Sequence, residues 1–273
     1  MKSTPLGAIL LNFFRAAAPK PPSVPQGVRI YAVGDVHGRD DLLQVLLQKI
    51  EAEVASYDGR IVVVFLGDLI DRGSASCQVL ERLSGWKLAR TKVVLLCGNH
   101  EEAFLRVIGG ETHLLHDWLK FGGAEFVQSY GIDLEEFRNL RPSKAIACLT
   151  SAIPKNHLAL LRGMQDSFQA GDYFFAHAGV RPEVPLHAQS PEDLRWIRGP
   201  FLSHSGKLDA VVVHGHTISQ HVEWLASRIG VDTGAYKTGK LSAVVLQGAD
   251  RWSLDATEVE AASGQSNQGM LPA

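Results

Sequence analysis

The chain has 273 residues, 45% hydrophobic and 21% charged, with a formal net charge of −2. That is ordinary globular composition for one large domain or two small ones, long enough to bury a core without staples. The missing basic surplus argues against broad nucleic-acid binding, and three cysteines without CxxC spacing argue against a disulfide framework and suit a reducing, cytoplasmic compartment.

The apolar stretch "LGAILLNFF" near the N-terminus is too short to span a bilayer, and Asn12 and Arg15 spoil it as a signal peptide. No membrane association is expected. "PKPPSVPQG" reads as an extended Pro-rich linker, so residues 1–27 are expected to be a flexible leader and the folded domain to span 28–258. "VRIYAVGD" reads as a buried strand closing on Gly34-Asp35. "DLLQVLLQKIEAEV" follows with apolar residues at helical spacing, and "RIVVVFLGD" repeats the strand ending on Gly-Asp. After a helical stretch from Ser74 to Ser84, "KVVLLCGNHE" closes a third strand on Gly-Asn-His, with Cys97 as a buried small hydrophobe.

Residues 104–163 form a helix-rich insert with Gly and Pro breaks, placed like a cap. Its aromatic residues Trp118, Phe121, Phe126 and Tyr130 are expected to be the insert's own core rather than a groove. "DYFFAHAG" and "DAVVVHGHT" are two further strands ending in histidine. The stretch after His221 reads as a meander, and residues 259–273, small and polar, as a disordered tail. Strands alternating with helices, each ending in polar residues, follow α/β logic, in which ligands sit beyond the carboxyl ends of the strands.

Singly, each of these strand ends is a turn or a packed histidine. Together they bring Asp35 and His37, Asp68, Asp71 and Arg72, Asn99 and His100, His177, and His214 and His216 to one edge. Crowded carboxylates repel unless cations lie between them. Oxygen and imidazole ligands without thiolate suit Mn, Fe or Zn.

"GDVHG" (Gly34–Gly38), "GDLIDRG" (Gly67–Gly73) and "GNHE" (Gly98–Glu101) resemble the signature motifs of the phosphoprotein phosphatase family within the calcineurin-like metallophosphoesterases. "HAG" (His177–Gly179) and "GHT" (Gly215–Thr217) resemble its later histidine motifs. The resemblance implies an α/β fold, a sandwich of two mixed β-sheets flanked by helices, with the insert as a helical cap. It implies two divalent ions, with Mn²⁺ the leading candidate. Asp35 and His37 would hold the first, Asp68 would bridge, and Asn99, His177 and His216 would complete the second. A bridging hydroxide would then attack phosphorus directly. Arg72 and Arg198 would hold the phosphoryl oxygens, and His100, oriented by Asp71, would protonate the leaving alkoxide.

Arg181 and Arg195 remain candidates for phosphate contacts, Arg195 being read as a solvated loop charge and Glu101 as a helix-cap partner. Symmetrical diadenosine tetraphosphate hydrolases share "GDVHG" but tend to lose the Asp-Arg pair, so Asp71-Arg72 leans toward a protein serine/threonine phosphatase. The eukaryotic "SAPNY" segment is missing, which suggests a bacterial-type member acting on a phosphoprotein or phosphopeptide. Diadenosine tetraphosphate or promiscuous small-phosphoester hydrolysis is the alternative. A silent metal scaffold would have lost a ligand, the acid or an arginine, and none is lost; a nuclease would show a basic surplus.

Overall fold

The computed structural model describes residues 20–268. The first unit is β1 (Val28–Val33), α1 (Asp40–Val54), β2 (Arg60–Phe65), α2 (Ser76–Gly85), β3 (Thr91–Leu95) and α3 (Asn99–Ile108). The three β-branched strands pair in parallel, Val28 beside Arg60 and Ile61 beside Thr91. Parallel strands need crossovers, and the amphipathic helices supply them. α1 turns Leu42, Leu43, Leu46, Leu47, Ile50 and Val54 inward, each worth roughly 1.5–3 kcal/mol when fully buried.

The insert is helical: α4 (Leu115–Trp118), a kink (Leu119–Gly123) at non-helical Gly122, α5 (Ala124–Ser129), α6 (Leu134–Asn139), α7 (Pro142–Ala152) and α8 (Lys155–Arg162). Trp118 and Phe126 pack with Phe104 of α3, and Tyr130 stacks on Phe126, so these form core as expected. Phe121 does not; it is 62% exposed.

β4 (Ser167–Ala170), β5 (Tyr173–Ala176), α9 (Pro191–Trp196), α10 (Gly199–Leu202), β6 (Val211–His214), β7 (Glu223–Trp224) and β8 (Arg228–Gly230) build the second sheet, ordered β4-β5-β6-β8-β7. The chain then returns through the short α11 (Ala235–Thr238). β9 (Lys240–Gln247) and β10 (Asp250–Thr257) complete the first sheet, ordered β10-β9-β1-β2-β3. Both sheets mix parallel and antiparallel pairs. The expected meander is therefore not one unit. β7 and β8 join one sheet and β9 and β10 the other, because the turn at Thr233-Gly234 carries the chain between them.

Strand alternation explains the layers. Ile30, Ala32, Val64, Leu66 and Val94 face Tyr173, Phe175, Val211, Val213 and Ile229 between the sheets. Tyr31, Val33, Val63 and Phe65 face α1, α2 and the insert, while Phe174, Ala176 and Val212 face α9 and α10. The result is a helix–sheet–sheet–helix sandwich, and no helix among the described residues is long and apolar enough to cross a membrane.

Two expectations at the ends are corrected. Residues 20–27 are not a free linker: Val24 is buried and its N–H donates to Gly248 O at 2.9 Å, and Ser23 N–H donates to Asp172 Oδ2 at 2.9 Å. The extended backbone that proline imposes leaves donors free to pair with both sheets. The part of the leader before Lys20 lies outside the described residues. The tail after Thr257 is helical as far as residue 268, forming α12 (Glu258–Gln268). Glu260 Oε2 accepts the Thr257 N–H at 3.0 Å, half of a capping box, and Oε1 takes Lys49 Nζ of α1 at 2.5 Å. Residues 269–273 lie outside the description. Glu260→Ala should cost about 1 kcal/mol, in line with a lost cap, read as a lower urea midpoint with unchanged m-value.

Candidate metal centre

The polar residues converge where the carboxyl ends of the two sheets meet. Asp35 and His37 follow β1, Asp68, Asp71 and Arg72 follow β2, and Asn99 and His100 open α3. His177 follows β5, and His216 lies two residues past β6. His37 (φ 45°), Asp68 (φ 48°), Asp71 (φ 70°), Arg72 (φ 67°) and His216 (φ 63°) all have left-handed backbone. Each non-glycine in that region costs on the order of 1–3 kcal/mol and persists only where its surroundings over-determine it.

Backbone carbonyls set the imidazole tautomers. Nδ1–H of His37 donates to Ile70 O at 2.9 Å and Nδ1–H of His177 to Leu66 O at 2.8 Å. Each Nε2 then turns its lone pair toward Asp68, 3.5 Å from Oδ2 in both cases. Asn99 Oδ1 and His216 Nδ1 lie 3.0 and 3.1 Å from His177 Nε2. Asp35 Oδ2 is 4.0 Å from His37 Nε2, and both its oxygens accept the His216 N–H at 3.1 Å. Two compact groups result, His37 with Asp68 and His100, and Asp68 with His177 and His216. Asp68 belongs to both.

The electrostatics fit a cation. Burial pushes the His37 imidazole down to about 3 and the His216 imidazole down to about 2, and lowers His177 as well, so these rings are neutral. Burial and the charges of Asp232 and Asp68 push the Asp35 carboxyl well above its ordinary value. For Asp68 burial also opposes the charge, yet the carboxyl is held low, with His100 the neighbouring ring whose own direction is up. His216 Nε2 is buried without a hydrogen-bond partner. Carboxylates and neutral imidazoles crowded in this way form a donor set that divalent cations complete.

His100 and Asp71 form a second device. His100 Nδ1–H donates to Asp71 Oδ2 at 2.8 Å, and His100 Nε2 sits 3.9 Å from Asp68 Oδ2. Burial lowers the His100 pKa, but Asp68 and Asp71 outweigh it and the net direction is up. Burial pushes the Asp71 carboxyl up, yet both groups facing Oδ2 are N–H donors, which favour the ionised form.

The arginines separate. Arg72 Nη1 lies 2.9 Å from His37 Nε2, its guanidinium over the Tyr236 ring. Arg198 is exposed, with Nη1 3.4 Å from Thr217 Oγ1. Arg195 is not a solvated loop charge: it lies on α9 and is held by Asp166 and by Glu102 at 3.3 Å, because two acidic groups face it. Arg181 is held by Asp193 at 2.9 Å.

Glu101 extends beyond a helix cap. Its carboxylate accepts the N–H groups of Gly98 at 2.9 Å, Asp68 at 2.9 Å, Leu69 at 2.7 Å and Ile70 at 3.3 Å. Asp232, absent from the sequence reading, is buried beside Asp35, its carboxyl pushed up to about 6 by burial. Its signal was available in "GVDTG", another strand closing on aspartate. His214 and His216 do not face alike. His214 packs edge-on against Phe201, 5.0 Å between centroids, and the left-handed turn at His216 swings that ring to His177. Neighbouring glycines make room: a Cβ on Gly98 would come within 2.1 Å of Asp68 Oδ1, and one on Gly215 within 2.1 Å of Asp35 Oδ1.

Comparison with known proteins agrees with this geometry. The calcineurin-like phosphoesterase family model matches residues 28–245. Serine/threonine-protein phosphatase 2 of Escherichia coli is 27% identical over 223 residues, covering 78% of this chain and 90% of that protein. The asymmetrical bis(5'-nucleosyl)-tetraphosphatase PrpE of Anoxybacillus flavithermus is 25% identical over 231 residues, covering 78% and 88%. Among solved structures, a cold-active protein tyrosine phosphatase shares the fold with a TM-score of 0.52 at 20% identity, covering 85% of this chain and 81% of that one. The chain belongs to the calcineurin-like phosphoesterases, a family of metal-dependent phosphoester hydrolases.

Proposed function

We propose that the protein is a phosphomonoesterase acting on phosphoserine or phosphothreonine in proteins, with Mn²⁺ as its working metal. The observation that carries this reading is the buried His100–Asp71 pair, bonded at 2.8 Å beside the Asp68 cluster. A positioned acid accelerates departure of an alkoxide by about 10²–10⁴-fold, and has far less to add when the leaving group is already a stable phosphate anion.

In this reading Asp35 and His37 would hold one ion, Asn99, His177 and His216 the other, with Asp68 shared. Divalent ions there would supply Lewis acidity toward the phosphoryl group and would lower the pKa of a water to about 7. Arg72 and Arg198 present guanidinium forks to the phosphoryl oxygens. His100 holds its proton on Nε2 for the departing oxygen, while Asp71 fixes the ring from Nδ1. Nucleoside polyphosphate hydrolysis is the second reading, favoured by the likeness to the tetraphosphatase PrpE.

Rates on a phosphoserine peptide, an aryl phosphate and diadenosine tetraphosphate, with Mn²⁺ supplied, separate the two. The peptide should be turned over faster than the dinucleotide, and His100→Asn should slow it by about 10²-fold or more while sparing the aryl ester. Equal losses on both monoesters, or preference for the dinucleotide, would overturn the reading. Asp71→Asn removes a contact that raises the His100 pKa, so the imidazolium should lose its proton at lower pH; the alkaline limb of kcat/KM should move to lower pH. Metal analysis of purified variants should show His216→Ala depleted of metal and His214→Ala still loaded.

A further inference from the structure

The insert reaches into the acid pair at one point. Asp71 Oδ2 accepts two N–H groups, from His100 Nδ1 at 2.8 Å and from the Trp118 indole Nε1 at 3.0 Å. Asp71 Oδ1 is buried with no partner, so both donors bear on one oxygen. Asp71 N–H is in turn held by Ser76 Oγ at 3.0 Å.

We propose that Trp118 is a positioning residue for the general acid, acting through Asp71; the proposal rests on the acid role assigned to His100 above. A fully buried carboxylate with one donor can rotate about its last torsion and carry the imidazole with it. A second donor at fixed azimuth removes that freedom, and near-attack geometry is sensitive to shifts of an ångström. The indole is itself locked. Its ring packs 5.6 Å from Phe104 and 5.8 Å from Phe126, between centroids.

The kinked segment that follows secures the next residue. Gly122, at φ 120°, accepts the Arg72 N–H at 3.0 Å, and a Cβ there would come within 2.7 Å of Arg72 N. Consecutive left-handed residues, Asp71 and Arg72, are thus both held from Trp118–Gly123. The insert thereby aligns the acid with the arginine beside it.

Trp118→Phe keeps the ring packing and deletes the donor. In the Mn²⁺-loaded full-length enzyme, kcat on phosphoserine peptide should fall about tenfold, a fraction of the full acid contribution. Turnover of an aryl phosphate should stay within about twofold, since little acid contribution is there to lose. A purely structural role would lower both together. The double variant Asp71→Asn/Trp118→Phe should be no slower on the peptide than Asp71→Asn alone, because the indole acts through that carboxylate. Equal losses on the two esters, or additive losses in the double variant, would overturn the proposal.

His100→Asn is run alongside. A leaving-group contrast there without one in Trp118→Phe overturns only the positioning role, whereas no contrast in either overturns the acid reading too. Should Trp118→Phe fail to fold, the Trp118 indole N–H proton resonance serves in its place. It should move upfield in Asp71→Asn, and an unmoved resonance would overturn the proposal.

Discussion

One buried carboxylate holds the centre in shape. Glu101 has no exposed surface, and the N–H groups of Gly98, Asp68, Leu69 and Ile70 all point at it. Hydrogen bonds to a charged group are worth about 1.5–3 kcal/mol each, enough together to offset the left-handed backbone at Asp68. Burial and the Asp68 charge work against ionisation and push this carboxyl up to about 7, so the backbone donors are what allow it to sit there. The loop after β2 and the start of α3 are thereby fastened to each other. That fastening places Asp68 between two clusters of imidazoles and brings Asp71 under His100.

The second constraint is the contact between the sheets. Asp35, Asp68 and Asn99 belong to one sheet, and His177 and His216 to the other. The donor set exists only while Ile30, Val64 and Leu66 stay packed on Phe175, Val213 and Ile229. Interiors packed to crystal-like density transmit small displacements, so core substitutions far from the edge would be felt as altered spacing between the donor groups. Residues 20–27 reinforce the same contact, bonded at Val24 to the β9–β10 turn and at Ser23 to the β4–β5 turn.

Much of this was readable from residues alone, because strand parity and strand-end chemistry are local. A β-branched run closing on Gly-Asp or Gly-Asn-His locates a strand and its functional end together. The unread parts depend on distance in the fold. Trp118 lies 47 residues from Asp71 in the chain, and indole packing gives no hint of the donated N–H. Arg195 resembled a free charge because Asp166 and Glu102 are distant in sequence. The polar composition of the tail hid α12, whose cap and Lys49 partner outweigh weak propensity, and proline in the linker hid how well an extended segment can pair. His214 and His216 could not be separated by parity because the left-handed turn at His216 abolishes it.

The glycines beside the carboxylates bear on how such a chain can diversify. Gly98 and Gly215 stand where even a methyl group would overlap an oxygen of Asp68 or Asp35. Alanine, serine or valine there would evict the carboxylate before touching any titratable group. The rim beyond His100, with Phe121 and Trp196 largely open to solvent, carries no such restriction. Descendants of this chain are therefore free to redraw what they recognise by changing the rim, while the floor tolerates almost no mutational drift. Inheritance of the chemistry and inheritance of the preference are separable, and the boundary between them runs along the two glycines.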